Sequence, residues 1–282
     1  MGLLEFAAKR FVAGKDIVSA VKGIKKLNKL NILATVDFLG ENVSNKSEAS
    51  EAANEYLVIL DEIEKHNLKC NVSLKLTMMG LEIDQDFCFE NVLRIVKKAA
   101  RLDNFVRIDM EGSPVTKATL DVFERLYKDH KNVGIVLQAA LFRSLDDARK
   151  YSEMGVNIRL CKGAYKEADT IAYSSKIDVN KNYLRICRLL LEGRGKVAIA
   201  THDQKMIDPI AAYIKENNIE SQRYEWQMLY GIERNTQKNF AKNREAVRVY
   251  VPYGNDWLGY FSRRMMERKE NFFFALKHFL RG

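Results

Sequence analysis

Polar and charged side chains stand at or just after the ends of a series of short apolar runs in this sequence. They are Asp37, Glu41, Lys75, Asp109, Glu111, Gln138, Arg159, Lys162, Tyr165, Thr201, His202, Glu225, Gln227, Arg248 and Tyr250. Polar groups in a core destabilise a fold unless they are paired or bind a ligand. One or two such residues would be ordinary core pairing, whereas a set at the end of each run predicts a functional site.

The residue types in this set fit several kinds of chemistry. Lys75 and Lys162 could each form a Schiff base, because burial lowers the pKa of a lysine and frees its amine, or could face a phosphate or carboxylate as cations. Asp109 and Glu111, two residues apart in one predicted strand, would share a side and could bind a metal, transfer protons, or pair with neighbouring lysines. His202 could act as a base or as a hydrogen-bond donor to a ligand.

A second polar cluster lies in the segment YFSRRMMERKEN, residues 260–271. On a helix, at about 100° per residue, Tyr260, Arg263, Arg264 and Glu267 share an arc of about 100°. A solvated face would show the same division, but this segment closely follows the last apolar run, so its first turns would lie near the strand ends. Two guanidinium groups there could bind a carboxylate or phosphate through paired donors.

The elements that must position these residues alternate between strand-like and helix-like patterns. Strands are predicted for 31–38, 70–77, 105–111, 134–141, 156–163, 196–203, 223–229 and 246–253. This alternation predicts an α/β fold with a parallel sheet covered by helices, and eight repeats fit the size of a (β/α)8 TIM barrel. A doubly wound sheet is the alternative, but its GxGxxG signature is missing. Residues 1–30 are predicted as an N-terminal helical segment and residues 31–282 as the barrel domain.

Composition restricts the class of protein. With 282 residues and 47% hydrophobic content the chain can bury a large core, and the lack of an apolar run near 18 residues or of a secretory signal predicts a cytoplasmic protein. The cysteines show no CxxC spacing and the histidines no HExxH pattern, so we expect reduced thiols and no metal. The net charge of +9 suits an anionic cofactor or membrane surface, while no nucleic-acid motif is present. The C-terminal NFFFALKHFLRG could contact a membrane or pack on the barrel.

Nine segments, in register along the chain, resemble the proline dehydrogenase family of flavin enzymes. YFSRRMMERKEN resembles its Y-x-x-R-R-x-x-E helix, TVDFLGE its F-D-x-L-G-E segment, and RLCKGAY its R-L-V-K-G-A-Y segment. SLKLT, IDME, LQAAL, ATHD, YEWQMLYGI and VRVYVPYG resemble further family segments, between about residues 32 and 271.

The resemblance implies a distorted (β/α)8 barrel whose last helix lies over the barrel mouth, with FAD at the carboxyl ends of the strands. It implies hydride transfer from C5 of L-proline to flavin N5, giving Δ1-pyrroline-5-carboxylate, and reoxidation by a membrane quinone at the inner membrane. Oxidation of hydroxyproline, or a Schiff-base lyase or aldolase on the same barrel, stays open as an alternative.

The resemblance also assigns roles to residues by position. Residues implied to bind or act on the substrate are Glu41, Lys75, Asp109, Ala164, Tyr165, Leu229, Tyr250, Tyr260, Arg263, Arg264 and Glu267. Among them Lys75, Arg263 and Arg264 would bind the carboxylate, and Glu41 would pair with Arg263 as a gate. Residues implied to contact the flavin are Gln138, Arg159, Lys162, Gly163, Ala164, Tyr165, Thr201, His202 and Arg264.

Three positions refine this assignment. Ala140 and Lys166 depart from the family pattern and could reshape the adenine end of the FAD site. Tyr250 is expected to favour proline over hydroxyproline, because its bulk and hydroxyl leave little room for a ring substituent.

Overall fold

Eight parallel strands form a closed barrel in the computed structural model, which describes residues 11–40 and 43–255. The strands are β1 (Leu33–Phe38), β2 (Cys70–Leu74), β3 (Val106–Ile108), β4 (Val133–Gln138), β5 (Ile158–Cys161), β6 (Val197–Ala200), β7 (Tyr224–Leu229) and β8 (Val247–Tyr253). Each strand pairs with the next, and β8 pairs with β1 from Leu33↔Arg248 to Phe38↔Tyr253. The predicted barrel of eight strands is therefore confirmed.

Helices cover the outside of this barrel. They are α1 (Ile17–Asn28), α2 (Lys46–Lys65), α3 (Gln85–Arg101), α4 (Ser113–Asp129), α5 (Ser144–Glu153), α6 (Lys176–Glu192), α7 (Gln204–Glu216) and α8 (Arg234–Lys242). Helix α1 packs beside β1 and β8, and α2 to α8 follow β1 to β7 in turn. The helix predicted to follow β8 and to lie over the mouth falls outside the described residues, and the boundary between residues 30 and 31 stays a prediction.

The strands are buried on both faces, with different chemistry on each. Residues such as Val36, Leu74 and Ile108 are fully buried and belong to the apolar core between the sheet and the helices. Alternate positions carry polar groups, among them Arg159 and Gln227, which hydrogen-bond one another across the barrel interior. Because a parallel barrel presents alternate residues to its interior, this polar set lies inside and leads toward the strand ends.

Short polar caps set where several helices begin, and so fix the loops at the barrel mouth. Asn45, Asp84 and Asp203 accept hydrogen bonds from backbone N–H groups in the first turns of α2, α3 and α7. A capping side chain satisfies N–H groups that the helix itself leaves unpaired. No helix among the described residues is both long and apolar enough to cross a membrane.

Candidate active site

Four polar side chains from different strand ends meet at the barrel mouth. The Lys75 ammonium lies 2.7 Å from Oδ2 of Asp37 and 3.4 Å from the Tyr250 hydroxyl. That hydroxyl donates to Oδ2 of Asp109 at 2.8 Å. Because β8 closes the barrel against β1, residues separated by more than 200 positions, such as Asp37 and Tyr250, become neighbours.

Acidic neighbours keep the Lys75 side chain charged. Burial alone would lower the pKa of the Lys75 ammonium, but Asp37, Asp109 and Glu111 together raise it above its ordinary value. A Schiff-base lysine needs the opposite shift, because its neutral amine is the nucleophile. The surroundings of Lys75 therefore favour a cation that binds an anionic group over a Schiff-base lysine, and the Schiff-base role stays an untested alternative.

Arg159 joins this cluster to the barrel interior. Its guanidinium donates to Oδ1 of Asp109 at 2.7 Å, to Oγ of Ser73 at 2.9 Å and to Oε1 of Gln227 at 2.5 Å. It also lies 5.4 Å from the centre of the Tyr250 ring. Because each carboxylate oxygen of Asp109 accepts from a protein donor, Asp109 orients both Arg159 and Tyr250.

Asp109 and Glu111 do not form the two-carboxylate pair that their spacing predicts. Strand β3 ends at Ile108, so both residues lie beyond the regular strand and the two-residue alternation no longer applies. The Glu111 carboxylate accepts from the Thr77 hydroxyl at 2.7 Å and from the Thr77 amide at 3.2 Å. Of the predicted alternative, pairing with lysines, the structure shows only the longer-range part: Asp109 forms its ion pair with Arg159, while both carboxylates help to raise the pKa of the Lys75 ammonium.

Further predicted residues line the ends of the adjacent strands β4, β5 and β6. Gln138 donates to the backbone oxygen of Glu111 at 2.9 Å, and Lys162 forms a 2.7 Å ion pair with Asp203. The Thr201 hydroxyl accepts from the amide of the same Asp203 at 3.1 Å. These side chains place a cation, an amide and a hydroxyl along one side of the mouth.

Gly163 follows β5 in a backbone conformation that favours glycine, with φ +114°. A Cβ atom at this position would lie 3.1 Å from Cβ of Ala140 and 3.4 Å from Oε1 of Gln138. The missing side chain therefore lets the backbone approach the end of β4 closely. Ala164 and Tyr165 come next on the same loop, and Tyr165 keeps 37% of its surface exposed.

His202 is held by the end of the neighbouring strand. Its Nε2 accepts a hydrogen bond from the amide of Leu229 at 2.8 Å, which places the ring proton on Nδ1. This arrangement favours the donor role predicted for His202 over the role of a base. Leu229 is the last residue of β7 and is half-buried there.

Five of the predicted substrate and cofactor residues lie outside the described part of the chain, and their roles stay predictions. They are Glu41, Tyr260, Arg263, Arg264 and Glu267. Among the described residues, no group of three or more His, Cys, Asp or Glu side chains could hold a metal ion.

Sequence reasoning did not single out Tyr56, which contributes to the site from helix α2. Its hydroxyl lies 2.9 Å from the backbone oxygen of Ser73 and 3.2 Å from Oδ1 of Asp37, so these two acceptors share its single proton. A tyrosine on the apolar face of a helix is ordinary core material, so the sequence carried no signal for this contact. Asp37 is among the predicted strand-end residues, but the sequence assigns it no role.

The fold and these side chains define a class: a (β/α)8-barrel enzyme with a charged site at the carboxyl ends of its strands. A family model described as "Proline dehydrogenase" matches residues 20–275. "Proline dehydrogenase 2" of Bacillus subtilis (strain 168) is 41% identical over 271 residues, which cover 96% of this chain and 89% of that protein. "Proline dehydrogenase 1" of the same strain is 38% identical over 274 residues, covering 97% and 91%. The chain belongs to the proline dehydrogenase family and is an enzyme of that family.

Among solved structures, the chain is similar to proline utilization A (PutA) from Bdellovibrio bacteriovorus inactivated by N-propargylglycine. The TM-score is 0.85 at 27% identity, and the match covers 93% of this chain. The same match covers 32% of the PutA chain, so this chain spans about a third of that larger protein. The likeness agrees with the barrel described above.

Proposed function

We propose that this protein oxidises L-proline to Δ1-pyrroline-5-carboxylate with FAD as cofactor, by transfer of a hydride from the ring carbon C5 to flavin N5. The observation that carries the proposal is the cluster of Lys75, Asp109, Tyr250 and Arg159 at the barrel mouth of a member of the proline dehydrogenase family. The cluster supplies a fixed cation for a carboxylate and an aromatic side chain for a small ring.

The residues at the ends of β4 to β6 fit a flavin dinucleotide. Gly163 allows close approach of a backbone, Lys162 supplies a cation for phosphate, and Gln138, Thr201 and His202 supply hydrogen-bonding groups. Bound FAD would supply the acceptor for the hydride, which no amino-acid side chain can provide. Ala164, Tyr165 and Arg264 are further proposed contacts with the cofactor.

The chain itself binds, orients and shields the substrate in this proposal. Lys75, Arg263 and Arg264 bind the proline carboxylate, while Tyr250, Tyr260 and Leu229 pack on the ring. Arg159 holds Asp109, and Asp109 holds the Tyr250 hydroxyl, so the ring-contacting tyrosine is fixed before the substrate arrives. Such preorganisation reduces the entropy lost when the reacting atoms are brought together.

The substrate amine must be neutral when the hydride leaves. Asp109 accepts from two protein donors, and Glu111 accepts from Thr77. Neither carboxylate is placed as a dedicated base, so the amine loses its proton to solvent before Glu41 and Arg263 close the site and Glu267 orders the arginines.

The proposal includes a membrane quinone as the final electron acceptor, reached through peripheral contact of a cytoplasmic protein with the inner membrane. The net charge of +9 supports contact with an anionic lipid surface.

An anaerobic spectrum of the purified protein tests the proposed function. We expect a yellow protein whose flavin absorbance bleaches on addition of L-proline, with D-proline as the matched control. Hydroxyproline should bleach it more slowly, because two hydrogen bonds hold the Tyr250 side chain that a ring substituent would have to displace. A flavin-free protein, or a flavin that L-proline does not reduce, would contradict the proposal. Borohydride trapping with a carbonyl substrate would instead support the lyase alternative.

A further inference from the structure

Tyr56 enters the active-site region from outside the barrel, between β1 and β2. Its hydroxyl accepts from the amide of Phe38 at 3.3 Å and donates to the backbone oxygen of Ser73 at 2.9 Å. Those two backbone groups follow Val36 and Val72, the last residues in register between β1 and β2. The hydroxyl therefore takes the place of the next hydrogen bond of the ladder and separates the two strand ends.

The same hydroxyl reaches one oxygen of Asp37, while Lys75 occupies the other. Oδ1 of Asp37 lies 3.2 Å from the Tyr56 hydroxyl, and Oδ2 lies 2.7 Å from the Lys75 ammonium. The Asp37 side chain is fully buried, whereas the Lys75 side chain is 17% exposed. Of the three connected side chains, Tyr56, Asp37 and Lys75, it is therefore Lys75 that faces the barrel mouth.

Simple pairing of a buried lysine does not require this arrangement. An apolar side chain at position 56 would leave β1 and β2 free to continue their ladder, and Asp37 would still neutralise Lys75. The Tyr56 hydroxyl also fixes the orientation of the Asp37 carboxylate, because a carboxylate that is hydrogen-bonded at both oxygens cannot rotate to follow the lysine. Burial also raises the pKa of the Tyr56 hydroxyl well above its ordinary value, so it remains a donor.

We propose that Tyr56 and Asp37 are positioning residues that fix the Lys75 ammonium at the place where it meets the carboxylate of the substrate. The inference rests on the function proposed above and deepens it. Neither residue touches the substrate; both act through Lys75.

The variant Tyr56→Phe removes only the hydroxyl and tests this inference. We expect kcat/KM for L-proline to fall about three- to tenfold, mostly through a higher KM, with kcat within about twofold of the unaltered enzyme. Tyr183→Phe is the matched control, because Tyr183 is also fully buried on a covering helix and donates to a strand oxygen, that of Leu160, at 3.3 Å. It should leave KM within about twofold while losing a comparable buried hydrogen bond.

A double-mutant cycle separates positioning from general loosening of the barrel. In a Lys75→Met background, Tyr56→Phe should change kcat/KM by less than about 1.5-fold, since residues that act through one partner are not additive. Asp37→Asn, which preserves volume, should raise KM as Tyr56→Phe does and serves as the readout if Tyr56→Phe does not fold.

The outcomes are distinct for the two proposals. Equal KM values for Tyr56→Phe and Tyr183→Phe would overturn the positioning role. The same fall in kcat/KM on Tyr56→Phe in the Lys75→Met background as in the unaltered enzyme would also overturn it. So would an unchanged KM in Asp37→Asn. If the unaltered enzyme does not oxidise L-proline, the proposed function fails first.

Discussion

At the residue scale, Lys75 shows how the surroundings of a side chain select its chemistry. Lys75 and Asp37 are typical of a buried ion pair, in which removal of one partner costs more than the pair itself contributes to stability. Burial raises the pKa of the Asp37 carboxyl, and the Lys75 ammonium opposes that rise. The pair therefore couples the electrostatics of the site to the stability of the barrel.

Lys75→Met should make the stability of the protein depend more strongly on pH. Without the ammonium, burial raises the pKa of Asp37 unopposed, so the folded state binds a proton that the unfolded state releases. A raised pKa contributes stability below the unfolded pKa of about 3.9 and loses it as pH rises through the folded value. At pH 8 we expect the variant to be about 3 kcal/mol less stable than the unaltered protein, because Asp37 is then a buried carboxylate without its partner. At pH 5 the loss should be smaller. Urea unfolding at both pH values measures the difference.

Two further variants check this explanation. Asp37→Asn in the Lys75→Met background should abolish the added pH dependence, and Lys22→Met, at an exposed position on α1, should show none. A loss of stability in Lys75→Met that is the same at both pH values would contradict it.

At the element scale, Asp203 serves both a helix and the predicted cofactor site. Its side chain caps α7 through the amide of Lys205 at 3.0 Å and pairs with Lys162 at 2.7 Å. Burial alone would raise the pKa of the Asp203 carboxyl, but Lys162 lowers it, so the carboxylate stays charged beside the proposed phosphate contact.

Asp203→Asn should strengthen FAD binding without loosening α7. Asparagine caps a helix as well as aspartate does, so the free energy of unfolding should change by less than about 1 kcal/mol. Without the carboxylate, the Lys162 ammonium is no longer neutralised and should attract the phosphates of FAD more strongly. The dissociation constant of FAD should therefore fall about threefold at low salt and less at high salt. Titration of the flavin-free protein measures it.

Asp84→Asn is the matched control for this prediction. Asp84 also caps a helix, α3, and also pairs with a lysine, Lys46, at 2.7 Å. It lies after β2, away from the strands β4 to β6. An equal change of FAD affinity in both variants would show that the effect does not come from Lys162.

The strands and their order could be predicted from the sequence, but their ends and partners could not. Runs of β-branched residues indicate strands wherever they occur, and the polar residues that follow them mark the mouth. The runs do not show that β3 stops at Ile108, because Asp109 and Glu111 fit the alternation equally well. The contact of Tyr56 with Asp37 depends on how a covering helix packs, and no local pattern encodes that.

At the scale of the whole molecule, one ion pair joins three strands where the barrel closes. The Arg248 guanidinium on β8 donates to Oε1 of Glu225 on β7 at 2.7 Å and to the backbone oxygen of Ala34 on β1 at 2.7 Å. Burial alone would raise the pKa of the Glu225 carboxyl, but Arg248 and Lys196 hold it well below its ordinary value. The Glu225 carboxylate therefore contributes to the pH dependence of the free energy of unfolding of the whole barrel.

Glu225→Gln should weaken the barrel at neutral pH and reduce its sensitivity to acid. A lowered pKa contributes stability above the unfolded value of about 4.3 and loses it as pH falls toward the folded value. We expect a loss of about 3 kcal/mol at pH 7, because Arg248 stays buried without its carboxylate, and a smaller difference below about pH 4. Urea unfolding at both pH values measures it. Glu216→Gln, at an exposed position on α7, is the control, and a difference that does not shrink in acid would exclude this role for Glu225.

The pairing of β1 with β8 also has a consequence for the order in which the protein is made. During synthesis β1 emerges first, but one of its edges has no partner until residues 247–253 have been added. A strand edge with unpaired backbone groups can recruit strands of other chains. The edge of β1 that pairs with β8 in the folded barrel therefore stays open to such contacts until β8 has been made.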